Sequence, residues 1–427
     1  MKLNYKRTIL IGFAFLSISS FWQMYDNIIP LILKNRFDLG ETVIGFVMGI
    51  DNILALFLLP LFGTLSDKTN TRLGKRIPFI LAGTLNAVSF MMLLPWADHI
   101  GSLSIFSAAL AIILLAMALY RSPAVALMPD LTPKPLRSKS NAVINLMGAI
   151  GAIYTLAMTK ILVASGDTPD YFPLFISIGL VMILSLIILL TTVPERKLRQ
   201  QLIPDHDSES SANNVKQGKH VSAMEPEIKK SLIYILISIF LWFMAYNAVT
   251  SAFSRYASYV WGLESGGYAD CLMVATITAI ISYLPIGIIS SHIGRKKTIL
   301  CGVLLMTLGY LGASFLQSYH DLINIGFGLI GISWAAISVN SLPMVVEMAS
   351  SRDVGKYTSF YYTFSMLAQA LTPLLSGVFL EHISYWILFP YAVVFSALAF
   401  ITMTQVRHGD SKPMAKKDLL ESFDVDD

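Results

Sequence analysis

The chain has 427 residues, of which 55% are hydrophobic and only 14% are charged. Soluble domains carry roughly 25% charged residues, so a soluble fold of this composition would expose apolar patches far above the usual few hundred Å². The composition also excludes collagen, a disordered chain and, with two cysteines, a disulfide scaffold. The remaining class is a polytopic membrane protein.

Long apolar runs recur along the whole chain. A helix needs about 20 apolar residues to cross the hydrocarbon core of a bilayer. Runs of this length predict an all-α membrane protein with twelve transmembrane helices, which we call spans 1 to 12. Their predicted bounds are 8–33, 42–65, 78–96, 103–128, 141–165, 171–193, 230–254, 268–291, 298–317, 321–348, 357–380 and 383–406.

One connection between spans is long and polar. Residues 194–229 contain three prolines and a run of acidic and small polar residues, which is typical of a flexible, solvated linker. The sequence therefore predicts a six-helix bundle over 1–193, a cytoplasmic linker over 194–229, a second six-helix bundle over 230–406 and a cytoplasmic tail over 407–427.

Lysines and arginines fall almost entirely on one side of the predicted membrane. Of the 31, all but Lys34, Arg36, Arg121, Lys160 and Arg255 lie at the termini, in the linker or in loops of the same side. By the positive-inside rule, both termini and the linker are predicted to be cytoplasmic. The net charge of +4 then reflects topology and does not indicate nucleic-acid binding. We expect a multi-pass protein of the plasma membrane, and the lack of an N-x-[ST] site favours a bacterial one.

The two halves of the chain repeat each other. The pattern Trp22-x-Met-x-x-Asn27 in span 1 recurs as Trp242-x-Met-x-x-Asn247 in span 7. The loop after span 2 is matched in the same order by the loop after span 8. Parallel six-helix repeats are an architecture of transporters, in which the substrate lies between the halves near the middle of the membrane.

The loop between spans 2 and 3 reads Gly63-Thr-Leu-Ser-Asp67, four further residues, and Arg72-Leu-Gly-Lys-Arg76. It resembles the G-x-x-x-D-x-x-G-R-K signature of the major facilitator superfamily. The copy in the second half departs from this signature, with Ser291 at the acidic position. The resemblance implies two six-helix bundles that transport a small molecule by alternating access, with spans 1, 7 and 10 lining the cavity.

Two segments are similar to a narrower group, the cation-coupled glycoside symporters and especially their sucrose-carrier branch. They are the four-residue insertion in the signature loop and Ser122-Pro-x-x-Ala-Leu-x-x-Asp-Leu131 at the end of span 4. The resemblance implies a monomeric symporter of a sugar and a cation. The chain departs from this group at Val125, where an arginine is frequent, and at Leu114, where plant sucrose carriers have an acid.

Only three charged residues lie well inside spans, where a charge costs several kcal/mol and is a functional candidate. Asp26 and Asp51 are at a matched depth of about 12–14 Å, counted along their helices. A carboxyl group that is dry, or beside another carboxylate, can carry a proton, so we predict that these two couple cation movement. The alternative is that they only hydrogen-bond to polar neighbours or line a hydrated vestibule. Arg121 is predicted to pair with substrate or with a carboxylate in the cavity. The alternative is that its long stem reaches the inner membrane surface. By depth, Arg121 lies too far from Asp26 for a direct pair unless the helices are displaced.

Flat aromatic side chains beside amides suit the apolar faces and hydroxyl rims of sugars. Helix packing is the alternative role for each aromatic. Tyr256, Tyr259 and Trp261 predict an aromatic belt that would place Arg255 at the outer membrane interface. The predicted substrate-binding residues are Trp22, Gln23, Asn27, Arg121, Trp242, Asn247, Trp334, Asn340 and Gln369.

Charged residues crowd the cytoplasmic ends of spans 2 to 5. The resemblance implies that such charges latch an inner gate, whereas setting the topology and capping helix ends are the alternative roles. The predicted gate residues are Asp67, Arg72, Arg76, Asp130 and Lys139.

No G-x-x-x-x-G-K-[ST] loop, H-E-x-x-H motif or cysteine cluster occurs, so the sequence predicts neither an ATP-driven pump nor a metal enzyme. We expect a secondary carrier that moves a sugar or glycoside with a cation, H⁺ in the first instance, and that needs no other cofactor. The alternatives are a proton-coupled exporter of drugs or metabolites and a membrane-embedded enzyme or receptor. The sequence leaves open the substrate, H⁺ or Na⁺, and the direction of transport.

Overall fold

The computed structural model describes residues 3–133, 136–163, 169–202, 226–263, 266–348 and 354–410. In these ranges the chain forms helices joined by short turns. The helices are α1 (Tyr5–Asn35), α2 (Glu41–Lys68), α3 (Ile77–Met91), α4 (Leu93–Ile100), α5 (Leu103–Asp130), α6 (Arg137–Leu162), α7 (Phe172–Thr192), α8 (Glu195–Leu202), α9 (Pro226–Trp261), α10 (Tyr268–Ile293), α11 (Arg295–Ser314), α12 (Ile323–Glu347), α13 (Val354–His382), a 3₁₀ turn (Tyr385–Ile387) and α14 (Leu388–Thr404).

Twelve helical segments of the described chain are long and apolar enough to cross a membrane, which confirms the predicted all-α class and the twelve spans. Span 3 is divided into α3 and α4 at Met92. Pro95 explains the division because it has no N–H to donate to the carbonyl of Met91. Helix α9 is longer than predicted and includes Arg255. The predicted linker begins with α8, and its residues 203–225 lie outside the described ranges, as do 411–427 of the predicted tail.

Successive spans run in opposite directions, so the loops collect at two ends of the bundle. We call the end that holds the turn 69–76 and the start of α11 the basic end. The other end, which holds the turn 36–40 and the end of α9, is called the opposite end.

Two hydrophobic cores hold the helices together. One contains buried side chains from Ile11 to Val193, and the other contains mainly side chains from Leu232 to Val406. Within the halves, α1 packs on α6 and α10 packs on α12. Between the halves, α2 contacts α13, α1 contacts α9 and α6 contacts α10. The space enclosed by these contacts between the halves is where a site shared by both bundles forms.

Candidate functional site

A cavity of about 480 Å³ lies between the two halves. Its wall is formed by α1, α5 and α6 of the first half and by α9, α10, α12 and α13 of the second. On α1 the lining residues run from Phe15 to Asp26, around the middle of the helix. On α5 and α6 they extend toward the basic end, to Val125 and Asn141. The cavity is therefore central in the membrane and is directed toward the basic end.

Charged side chains meet in and behind this wall. Asp26 and Arg121 both line the cavity, and the Arg121 guanidinium lies 5.9 Å from the centroid of the Trp22 ring. Asp51 does not line it and accepts a hydrogen bond of 3.0 Å from the Asn52 side chain. Asp26 interacts electrostatically with both Asp51 and Arg121. The structure thus brings the three predicted intramembrane charges into one cluster.

Arg121 and Asp26 line one cavity and interact electrostatically, whereas the predicted lack of a direct pair between them stays a prediction. The hydroxyl of Tyr120 donates a 3.0 Å hydrogen bond to the Ala14 carbonyl. This turn of α5 therefore lies beside the half of α1 that is nearer the basic end. The Arg121 guanidinium lies near the Trp22 ring, which is eight residues further along α1 than Ala14. Counting residues along a helix gives the depth of a Cα atom, whereas a long arginine stem can place its charge at a different depth.

Aromatic and amide side chains supply most of the remaining wall. Tyr246 and Trp334 stack with ring centroids 3.8 Å apart and planes 11° apart, forming a flat surface on the second half. Trp22 and Gln23 lie on the first half. The wall also contains Asn141, Asn145, Tyr283 and Tyr362, which we did not predict. The two asparagines are four residues apart on α6 and so share one helix face, a signal that was present in the sequence.

Five predicted substrate-binding residues lie outside this wall. Asn27, Asn247 and Asn340 each donate to the backbone carbonyl one turn earlier, at 2.9, 2.8 and 2.9 Å. Trp242 has no exposed surface and lies in the core of the second half. Gln369 lies on α13, half-buried. Of the repeated Trp and Asn residues, only Trp22 lines the cavity. On α9 the side chain that lines the cavity is Tyr246, because packing turns that face of the helix toward it.

An ion cluster lies at the basic end of the first half. Arg76 bridges two helix ends, binding Asp67 of α2 at 2.6 Å and Asp130 of α5 at 2.9 Å. Lys75 reaches the same two carboxylates at 3.1 and 3.2 Å. The Arg76 side chain is only 5% exposed. Three of the five predicted gate residues thus form one network that ties α2, α3 and α5 together.

Glu195, which we did not predict, binds the backbone next to this cluster. Its carboxylate accepts hydrogen bonds from the backbone N–H groups of Lys75 at 2.9 Å, Arg76 at 3.0 Å and Ile77 at 3.0 Å. An anion placed on the free N–H groups of a helix start is favourable. Of the other predicted gate residues, Arg72 is exposed in the preceding turn and Lys139 lies in the first turn of α6.

The opposite end is closed by contacts between the halves. The Nε of Arg255 on α9 lies 2.8 Å from a carboxylate oxygen of Glu41 on α2, and both side chains are 3% exposed. Arg255 also donates to the Ser251 carbonyl at 3.0 Å, and Tyr385 donates to Glu41. The predicted depth of Arg255 at the membrane interface stays a prediction, and the structure adds that the residue is buried with a partner from the other half. Tyr256 is likewise buried in the core and does not form a belt.

Next to this ion pair, the backbones of α2 and α13 pack closely against each other. A Cβ atom on Gly45 would lie 2.1 Å from the Pro373 carbonyl oxygen, and one on Gly49 would lie 2.7 Å from that of Ala370. Only glycine permits such an approach of α2 to α13. Together with the buried ion pair, this contact blocks the cavity from the opposite end.

The sequence profile of the Major Facilitator Superfamily matches residues 11–278 and 235–421. An uncharacterised transporter of the same type from Methanocaldococcus jannaschii is 24% identical over 407 residues, covering 92% of this chain and 93% of the relative. The xylose transporter of E. coli in an inward-open conformation superposes with a TM-score of 0.67 at 16% identity, covering 98% of both chains. A peptide transporter superposes with a TM-score of 0.69 at 12% identity, covering 94% of this chain and 93% of the other. The two solved structures are similar in fold.

Proposed function

Since this chain belongs to the major facilitator superfamily, we propose that it is a secondary active transporter that carries a sugar or glycoside together with H⁺ by alternating access. It is a transporter and not an enzyme, as the family is. The observation that carries the proposal is the composition of the cavity wall. Trp22 and the stacked pair of Tyr246 and Trp334 provide flat surfaces, and Gln23 contributes an amide to the same wall.

The chemistry of this wall fits a sugar. A sugar ring has apolar C–H faces that pack on aromatic rings, and its hydroxyl groups both donate and accept hydrogen bonds. Amides supply donors and acceptors, carboxylates only acceptors and guanidinium groups only donors. Asn141, Asn145, Asp26 and Arg121 thus complement a hydroxyl rim from the first half.

Uptake into proteoliposomes tests the proposal directly. Purified carrier is given a panel of labelled mono- and disaccharides under an imposed pH or Na⁺ gradient. We expect at least one sugar to accumulate with the pH gradient and not with the Na⁺ gradient. Trp22→Ala should abolish uptake, whereas Trp96→Ala, at a tryptophan that is 52% exposed and outside the cavity wall, serves as the matched control. If no sugar accumulates under either gradient, the substrate class is wrong.

The second candidate is a proton-coupled exporter of drugs or metabolites. The flat, stacked surface of Tyr246 and Trp334 favours it, because such a surface also accepts planar apolar compounds. Vesicles of the opposite orientation distinguish the two. An exporter would extrude a planar cationic dye when protons enter, and the sugar panel would not compete.

We further propose that the basic end is cytoplasmic, because it collects most of the lysines and arginines. In a background with Cys271 and Cys301 replaced by Ser, a membrane-impermeant thiol reagent added to intact cells should label His99→Cys and leave Lys297→Cys unmodified. Both positions are exposed, at opposite ends of the bundle. Labelling of Lys297→Cys alone would reverse the orientation.

The ion cluster at the basic end is proposed to bias the gating equilibrium. Asp67→Asn removes the carboxylate that joins α2 to Arg76 and Lys75. A coupling energy of about 1–3 kcal/mol corresponds to a change of roughly 5–150-fold. We expect the transport rate of Asp67→Asn to fall by a factor within this range of roughly 5–150-fold, while the affinity for substrate at equilibrium changes little. Glu227→Gln, an exposed acid at the same end, is the control. Equal transport rates in Asp67→Asn and Glu227→Gln would show that the charge of Asp67 only sets the membrane topology.

A further inference from the structure

A second concave site lies at the basic end, outside the cavity between the halves. It is a groove of about 620 Å³ between the turn that follows α2 and the junction of α7 with α8. Its lining combines two kinds of side chain, cationic and apolar. The lining residues are Arg72, Leu73, Ile77, Leu190, Val193, Pro194, Arg196 and Lys197.

Three cations of this groove have no anionic partner among the described residues. Arg72, Arg196 and Lys197 are exposed, and within the part of the chain that the structure describes no ion pair engages their side chains. The nearest acid in sequence, Glu195, uses its carboxylate on the backbone N–H groups at the start of α3. Like charges that line one groove repel one another, and a bound anion would relieve this repulsion.

The apolar side of the groove continues along the membrane-facing surface of α7. Leu180, Leu184, Ile187 and Leu190 are 57, 56, 49 and 37% exposed. Their spacing of four, three and three residues places them on one face of the helix. This face begins within the bilayer and ends at the groove, so that hydrocarbon contacts and cationic groups follow each other along one path. A small soluble anion would use only the cationic part.

We propose that this groove binds an anionic phospholipid, with Arg72, Arg196 and Lys197 around the headgroup phosphate and the acyl chains along the exposed face of α7. Basic clusters that immediately follow a membrane span bind anionic headgroups in this way. The guanidinium groups of the two arginines can each donate two parallel hydrogen bonds to phosphate oxygens. Lipid binding at this groove is independent of what the central cavity carries.

Native mass spectrometry of the delipidated full-length protein tests the site. The protein is titrated with dioleoyl phosphatidylglycerol and, separately, with dioleoyl phosphatidylcholine, which has the same acyl chains without the net negative charge. The test variant is Arg72→Gln/Arg196→Gln/Lys197→Gln. The matched control is Lys229→Gln/Lys297→Gln/Arg407→Gln, which removes three exposed cations from the same end of the molecule.

We expect the wild-type protein and the control to retain one phosphatidylglycerol with equal affinity, and the test variant to lose about 100-fold. Phosphatidylcholine should bind all three proteins alike and weakly. Millimolar glycerol phosphate should not displace the lipid, because it lacks the acyl contacts. Equal losses in test variant and control would show general charge attraction and overturn the site. Full displacement by glycerol phosphate would overturn the lipid assignment in favour of a soluble phosphate ligand.

Discussion

Replacing Arg255 with Met should open the opposite end of the molecule. In the sealed conformation this change leaves the Glu41 carboxylate buried between the halves with no cation, since Arg255 is its only ion-pair partner among the described residues. Removing one member of a buried ion pair costs about 3–5 kcal/mol. Separation of the halves returns Glu41 to water and avoids that cost. The ratio of open to sealed molecules should therefore rise by roughly two orders of magnitude or more.

Spin labels at His99 and Leu322 report this opening, because they are exposed on the two halves at the opposite end. Double electron–electron resonance in nanodiscs should show a longer distance in Arg255→Met than in the wild type. The matched control is Lys160→Met, which removes another ion pair between the halves at the same end, 2.8 Å long but 54% and 33% exposed. Exposed pairs contribute about 0–1 kcal/mol, so this control should resemble the wild type.

A double variant separates gating from misfolding. Glu41→Gln/Arg255→Met removes both buried charges, and replacing a buried pair by neutral groups is often close to neutral in stability. Its distance distribution should return toward that of the wild type. Identical distributions for Arg255→Met and Lys160→Met would show that the buried pair does not hold the seal.

The contrast between these two ion pairs shows where sequence analysis is limited. Hydropathy located all twelve spans because the bilayer imposes one length on every apolar run. It does not predict the burial of Arg255, which stands one residue beyond the predicted end of span 7. At such a position an arginine normally reaches the membrane surface. Its burial depends on Glu41, which is 214 residues away, and a pairing across two domains leaves no local pattern.

Only some of the cavity residues could be predicted, because the sequence shows which residues are unusual in a span but not which way each helix faces. Asp26, Asp51 and Arg121 were identified because a charge inside a span is costly wherever the helix faces. Trp242 was selected from an internal repeat, but the repeat preserves residue type and not the rotation of a helix in its bundle. Asn141 and Asn145 lie on α6, and nothing in the sequence assigns that helix to the cavity wall. Helix rotation and tilt arise from packing and were not available from one sequence.

Asp51→Asn should abolish proton-driven accumulation while leaving exchange intact. Asp51 lies behind the cavity wall, where it interacts with Asp26 and accepts a hydrogen bond from Asn52. It is therefore close enough to affect the charge of the cavity and does not line it. Asparagine is neutral and similar in shape, so the variant imitates the protonated acid permanently. A carrier fixed in this form can bind and reorient with substrate but cannot release a proton.

Two assays on the same proteoliposomes measure this separation. The first follows accumulation of the transported sugar under a pH gradient, and the second follows exchange of labelled for unlabelled sugar at equal pH, which needs no net proton movement. Asp38→Asn is the control, because it removes one carboxylate from the same half at a side chain that is 96% exposed. Asp26→Asn should weaken binding and so reduce both activities, since Asp26 lines the cavity beside Trp22 and Arg121. If Asp51→Asn still concentrates sugar against its gradient, the coupling site lies elsewhere, and if Asp26→Asn also does so, proton symport through this charge cluster is excluded.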